Sequence, residues 1–306
     1  MHAAPTAVIK PAALKPGNTI GIVAPSSPFE PQELERGLCV LQAMGYITRS
    51  AQGLAARSGF LAGDDAHRAN QLHAMFADDT IDAIICARGG YGALRILSLL
   101  DYDLIRAHPK PFFGFSDITV LHQALRVKTG LVTFHGPMVC TLDRGDSLTQ
   151  ASWQQAASVD VTPVLVSEAH RTIKGGRARG CLVGGNLTSL CHLVGTLFAV
   201  SYRNCILFIE DTGERPYRID RMLVHMKLSG CFDGLSGVIL GSFKNCGTRV
   251  EIDGIVRQLF DDCDIPIMAG VAAGHRRRNL TLPLGIRAEL DADNGTLRYL
   301  ESATIG

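Results

Sequence analysis

Residues 111–120 read Pro111-Phe-Phe-Gly-Phe-Ser-Asp-Ile-Thr-Val120, and this stretch decides the fold. An apolar run of strand length reaches a glycine, turns through Gly114-Phe115-Ser116, and enters a segment of helical spacing that continues to Thr129. A strand feeding directly into a helix is the unit of a parallel sheet with helices on both faces, whose ligands bind beyond the carboxyl ends of the strands. Ser116 stands at such an end. Its own N–H and the next ones lie at a helix N-terminus, where backbone donors can receive a developing oxyanion, as in a nucleophile elbow. The G-x-S-x-G pattern is incomplete, because Ile118 occupies the place of the second glycine. A helix N-cap is the plainer role for such a serine.

The same alternation extends outward. Thr19 to Ala24 reads as a strand closed by Pro25, Pro31 to Met44 as a helix stopped at Gly45, and Asp64 and Asp65 as caps of a helix reaching about Phe76. Ile81 to Ala87 is a buried strand, Gly92 to Leu100 is helical, and Leu131 to His135 is a strand. The pattern loosens after Met138. An N-terminal α/β domain over residues 1–145 is therefore expected, then a connector over residues 146–179. Residues 180–306 are predicted to form a mixed α/β domain. Its elements are a helix from Leu187 to Val194, the very apolar strand Cys205 to Ile209, and a helix from Tyr217 to Leu228. Then come a strand from Gly237 to Leu240, a helix from Val250 to Cys263, a strand from Ile265 to Ala269, and a hairpin turning at Asp293-Asn-Gly295.

A chain of 306 residues suits two domains better than one core. With 46% hydrophobic and 19% charged residues it is not a disordered chain. Lys+Arg 30 against Asp+Glu 29 leaves a formal charge of +1, so nothing in the bulk charge calls for a nucleic acid or an anionic membrane. A small or zwitterionic ligand fits better. Nine scattered cysteines without a C-x-x-C motif read as reduced, buried thiols. No stretch approaches the roughly 18 apolar residues of a membrane span, and the expected location is the cytoplasm.

A serine nucleophile needs a base to take its proton and a third group to orient the base. Glu210 directly follows the uncharged run Cys205 to Ile209, and His275 lies in the small-residue loop Gly270-Val-Ala-Ala-Gly-His275. Both are placed as strand-end residues. His135, ahead of Gly136-Pro137, is the rival base. Arg88-Gly-Gly-Tyr-Gly92 follows a strand and opens a helix, so it could cradle a phosphate, but it fits neither G-x-G-x-x-G nor the P-loop pattern. The same glycines could equally supply an oxyanion donor near Ser116. No spacing of His, Cys or Glu suggests a metal. A non-catalytic phosphate- or nucleotide-binding protein stays open on periodicity alone.

Taken together, the motifs resemble a known family. They are Ser26-Ser27-Pro28, Ala87-Arg-Gly-Gly-Tyr-Gly92, Gly114-Phe-Ser-Asp117, His135-Gly-Pro-Met138, Gly184-Gly-Asn186, Ile209-Glu-Asp211 with Tyr217-Arg-Ile-Asp220, and Gly274-His275 followed by Asn279 and Leu282-Pro-Leu-Gly285. In order and spacing, from about residue 17 to the C-terminus, they resemble the LD-carboxypeptidase family of serine peptidases. The resemblance implies a catalytic triad of Ser116, Glu210 and His275, with an oxyanion hole formed by the N–H groups of Asp117 and Gly90. It also implies an N-terminal domain of class I glutamine amidotransferase type, a C-terminal swivelling-type domain, a homodimer, and no metal or cofactor.

The substrate the resemblance implies is a small peptide, the murein tetrapeptide, from which terminal D-alanine is released during cell-wall recycling. Another branch of the family hydrolyses the peptidyl-nucleotide antibiotic microcin C; the compact length of this chain favours the murein branch. Recognition of a free carboxylate favours arginine, and Arg88, Arg218 and the run Arg276 to Arg278 are available. Adjacent residues cannot all point inward, so at least two of the last three read as solvated. Trp153, in the connector, could stack on a nucleobase but reads better as structural.

Overall fold

The computed structural model describes residues 7–158, 164–167 and 169–306. Strands β1 (Thr19–Val23), β2 (Ile47–Ser50), β3 (Ala83–Cys86), β4 (Phe112–Gly114) and β5 (Thr133–His135) pair in parallel in the order β5-β4-β3-β1-β2. Every residue of β3, β4 and β5 is buried, as befits strands covered on both faces. The crossovers carry helices α1 (Pro31–Ala43), α2 (Asp65–Ala77), α3 (Ala93–Ile96), α4 (Tyr102–Ala107) and α5 (Thr119–Thr129). Asp64 caps α2 by accepting the His67 N–H at 2.7 Å. The helix expected over Gly92 to Leu100 is α3 followed by a 3-10 turn, and α4, capped by Asp101, is an additional element.

After the short α6 (Val139–Leu142) and α7 (Ser147–Ala156) the chain builds a second sheet. Its strands are β6 (Val164–Val166), β7 (Arg171–Lys174), β8 (Arg177–Asn186), β9 (Cys205–Thr212), β10 (Gly237–Lys244) and β11 (Ile267–Ala269). Helices α8 (Leu187–Leu193), α9 (Pro216–Leu228) and α10 (Arg249–Leu259) link β8, β9, β10 and β11, which run parallel. Then β12 (Leu282–Leu284) crosses back to pair antiparallel with β5 of the first sheet. The hairpin β13 (Arg287–Asp291) and β14 (Thr296–Tyr299) completes the second sheet, in the order β6-β14-β13-β8-β9-β10-β11-β7. The second half therefore donates a strand to the sheet of the first. Residues 146–179, expected as a connector, instead supply α7, β6, β7 and the first residues of β8. Their strands pair with β14 and β11, partners more than ninety residues away that no local pattern announces. Residues 159–163 and 168 of the expected connector lie outside the described residues.

The second sheet welds the halves by simple alternation. On β9, Ile206 and Phe208 belong to the core shared with the first sheet, whereas Cys205, Leu207 and Ile209 belong to the core under α8, α9 and α10. Phe208 reaches the His135 ring of β5, with centroids 4.9 Å apart. Burial of one such ring contributes on the order of 2–3 kcal/mol. The N-terminus of α5 also docks on β8, where Thr119 Oγ1 accepts the Asn186 N–H at 3.0 Å and Gln123 Nε2 donates to the Gly184 carbonyl at 3.0 Å. A Cβ at Gly185 would lie 2.5 Å from Thr119 Oγ1, and the φ of +141° there disfavours any L side chain. Among the described residues no helix is long and apolar enough to cross a membrane.

Candidate active site

The turn after β4 holds Ser116 at φ +65°, a left-handed conformation costing a non-glycine residue on the order of 1–3 kcal/mol. Such strain persists where surrounding structure fixes it. The serine makes no helix cap. Its Oγ lies 3.0 Å from His275 Nε2, and His275 Nδ1 lies 2.6 Å from Glu210 Oε2. An ionised carboxylate only accepts, so Nδ1 carries the imidazole proton and Nε2 is left to accept from the serine hydroxyl. The three residues come from the end of β4, from β9, and from the loop after β11.

Glu210 sits inside β9, which continues to Thr212 through pairing with β10, rather than where the strand leaves the core. Its parity with Ile206 and Phe208 turns it toward the half that carries Ser116, while Asp211 turns the other way. Glu210 is fully buried, and that burial raises its carboxyl above the ordinary value against the opposing pull of His275. Asp211, also raised by burial, accepts from Asn186 Nδ2 at 3.1 Å and Thr188 Oγ1 at 2.8 Å, fastening β9 to the start of α8.

His275 packs on the Phe115 ring, centroids 4.9 Å apart. Its loop is held by Asn279, whose Oδ1 accepts the Gly274 N–H at 2.7 Å, and by Thr149 of α7, whose Oγ1 accepts the Asn279 N–H at 3.1 Å. A Cβ on Gly274 would lie 2.5 Å from Glu210 Oε2, so only glycine lets the loop approach the carboxylate. His135, the rival base, is fully buried against Phe115 and Phe208, and neither ring nitrogen has a hydrogen-bond partner among the described residues. Burial holds its pKa well below the usual imidazole value.

Behind Ser116 lies the loop Arg88 to Gly92. A Cβ on Gly89 would stand 3.1 Å from Ser116 Cβ, so the glycine backbone abuts the serine. Asp117 Oδ2 accepts the Ser26 hydroxyl at 2.7 Å and the Ala93 N–H at 2.8 Å. Ser27 N–H donates to the Gly89 carbonyl at 3.2 Å, and Ser27 Oγ accepts the Tyr91 N–H at 3.0 Å. The loops after β1 and β3 are thus tied to the turn that carries Ser116, with Gly90 between the two ties.

Beside His275 and Phe115 opens a cavity of about 450 Å³ lined by Arg144, Lys244, Arg276 and Arg277, and no carboxylate lines it among the described residues.

Residues 20–136 match the LD-carboxypeptidase N-terminal domain, and residues 179–290 match the LD-carboxypeptidase C-terminal domain. The chain belongs to the LD-carboxypeptidase family. It is 40% identical over 296 residues to the probable murein peptide carboxypeptidase of Bacillus subtilis, covering 94% of this chain and 93% of that protein. The crystal structure of muramoyltetrapeptide carboxypeptidase from Oxalobacter formigenes superposes with a TM-score of 0.80 at 31% identity, over 92% of this chain and 97% of that one. An MccF-like protein from Bacillus anthracis superposes with a TM-score of 0.90 at 26% identity, over 96% of this chain and 99% of that one.

Of the arginines expected at the substrate of this LD-carboxypeptidase, Arg88 donates to the Pro28 carbonyl at 3.1 Å, and Arg218 lies on the exposed first turn of α9 beside Glu214. Neither lines the cavity. Two of the three arginines after His275 do line it while remaining exposed, and Arg278 pairs with Asp146 at 2.7 Å. Sequence reasoning gave no role to Lys244, Arg144, Thr149 or Asp211. The alternation along Ile206, Phe208 and Glu210 was a usable signal for the facing of Asp211; a lysine at a strand end carries none.

Proposed function

We propose that Ser116 is the nucleophile, His275 the general base and Glu210 its orienting carboxylate. The enzyme is a serine-type LD-carboxypeptidase that releases terminal D-alanine from the murein tetrapeptide L-Ala-γ-D-Glu-diaminopimelate-D-Ala. The observation that carries this reading is the unbroken relay from Ser116 Oγ through His275 to a buried Glu210. His275 Nε2 takes the hydroxyl proton as Oγ attacks the amide carbonyl. Glu210 holds the tautomer and stabilises the imidazolium. The N–H groups of Asp117 and Gly90 receive the oxyanion, His275 returns the proton to the departing D-alanine amine, and water hydrolyses the acyl-enzyme by the same relay.

Two alternatives are less well supported. A peptidyl-nucleotide substrate would be served by an aromatic platform, but Trp153 is fully buried, stacked on Phe113 at 4.4 Å and edge-on to Tyr46. A phosphate cradle at Arg88 to Gly92 would need free N–H donors, and those of Tyr91 and Ala93 already serve Ser27 and Asp117. The parallel strand order with the nucleophile after β4 supports class I glutamine amidotransferase typing of the N-terminal half. Nine free thiols suit a cytoplasmic location. The family resemblance supports a homodimer.

The test is release of free D-alanine from the tetrapeptide by the purified protein. Ser116→Ala, folded by circular dichroism, is expected to lose on the order of 10⁶-fold in rate. Absence of release from the wild type, with a nucleotide raising its melting temperature, would overturn the assignment.

A further inference from the structure

We infer that the cavity beside His275 is a subsite that reads free carboxylates on the acyl side of the scissile bond, through Lys244 together with Arg276 and Arg277. The inference rests on the D-alanine-releasing activity proposed above and names what that activity selects.

Lys244 ends β10 in register with Thr212, two residues beyond Glu210 on the adjoining strand, so its stem rises from the same sheet end as the relay. Arg276 and Arg277 directly follow His275. The neighbouring cations are neutralised within the protein: Arg144 by Glu33, Arg278 by Asp146 and Arg171 by Asp253. Lys244, Arg276 and Arg277 have no acidic partner among the described residues, although all three line one concavity. Unneutralised like charges converging on a cavity repel one another until an anion enters, and they raise its local concentration there. The departing D-alanine presents a single carboxylate on a very small residue. A cavity of about 450 Å³ falls instead in the range that encloses most of a peptide-sized ligand. On the acyl side, a murein tetrapeptide offers the α-carboxylate of its D-glutamyl residue and the far carboxylate of diaminopimelate. Both are candidates by the same chemistry, charge-assisted hydrogen bonding to ammonium and guanidinium.

Binding can be read without turnover in the full-length Ser116→Ala protein by calorimetry. Four peptides are compared: the parent tetrapeptide, its diaminopimelate carboxamide, its D-isoglutamine form, and the form with lysine replacing diaminopimelate. Removing the recognised carboxylate is expected to raise Kd about tenfold. Adding Lys244→Ala, Arg276→Ala and Arg277→Ala to Ser116→Ala should shrink that difference below about twofold, with the melting temperature unchanged because all three side chains are exposed. Whether the carboxamide and lysine forms or the D-isoglutamine form loses affinity tells which carboxylate is read. Equal Kd values for all four peptides would overturn the inference, as would a preference that persists undiminished in the combined variant. Release of D-alanine by the wild type without any carboxylate preference sinks this inference alone; a preference retained without release sinks the activity alone.

Discussion

The relay and the cationic cavity share His275, which belongs to the one and lines the other, yet they are built in opposite ways. Glu210 is fully buried, His275 is clasped between Phe115 and the carboxylate, and Ser116 is held in a strained turn whose neighbours are tied by Ser26, Ser27 and Asp117. Lys244, Arg276 and Arg277 stand in solvent on flexible stems. The difference separates two tasks. Proton transfer needs groups fixed within tenths of an ångström before the substrate arrives. Recognition of a carboxylate needs charge that can adapt, so it tolerates exposure but is weakened by salt.

The sharpest way to break this contrast is Glu210→Gln. The amide keeps the shape but cannot hold an imidazolium, and D-alanine release is expected to fall about 10⁴-fold. Stability should move the other way. Burial raises the folded pKa of Glu210 above its unfolded value, so the protonated form is the one favoured by folding. That contribution is fully present below the unfolded pKa, near ~4.3, and is lost as pH rises through the folded pKa. At neutral pH the ionised wild type carries the cost and the glutamine variant does not. Thermal denaturation should therefore show the variant at least as stable as the wild type at pH 7, with the gap closing as the pH is lowered. A variant less stable at pH 7 would mean that Glu210 is chiefly structural.

A smaller effect is expected at Asp117, whose backbone N–H is proposed for the oxyanion hole and whose side chain ties the neighbouring loops. Asp117→Ala retains the N–H and strips the Ser26 hydroxyl and the Ala93 N–H of their acceptor. The loop bearing Gly90 would lose its tie to the turn, and kcat is expected to fall about 10- to 100-fold with KM changed less. Both hydrogen bonds end on one carboxylate oxygen, which an amide oxygen can replace. Asp117→Asn should therefore recover most of the rate. Equal losses in the two variants would show that the charge matters, not the ties.

How much of this was readable beforehand follows the same division. The strand-turn-helix around Ser116, the buried run leading to Glu210 and the small-residue loop before His275 are local patterns, and each predicted element has its counterpart in the structure. The alternation along β9 even encodes which way Glu210 faces. The return of β12 to β5, and the use of residues 146–179 to build β6, β7 and the clasp on the His275 loop, depend on pairing across more than ninety residues. The burial of His135 is equally non-local, since it is made by Phe115 from the turn after β4 and Phe208 from β9. The cavity was hidden for another reason. A lysine that stays solvated looks like any surface lysine until the fold shows what it faces, and of the arginines the sequence offers for a carboxylate, Arg88, Arg218 and the run Arg276 to Arg278, only Arg276 and Arg277 line the cavity.

Arg218→Ala is the smallest expected effect and the one that tests where the binding surface stops. The guanidinium lies on the first turn of α9, 3.4 Å from both Tyr217 Oη and Glu214 Oε2, with 56% of the side chain exposed. An exposed pair at this spacing is screened by water and salt, so its loss should shift the melting temperature by no more than about one degree. Because Arg218 does not line the cavity, Kd for the tetrapeptide in the Ser116→Ala background should change less than about twofold, against a several-fold change for Lys244→Ala. A loss at Arg218 equal to that at Lys244 would extend the charged surface over α9 and away from His275. Recognition would then be spread along the sheet end rather than gathered beside the relay, and a rigid relay with its cations concentrated at His275 would no longer describe how the site divides its work.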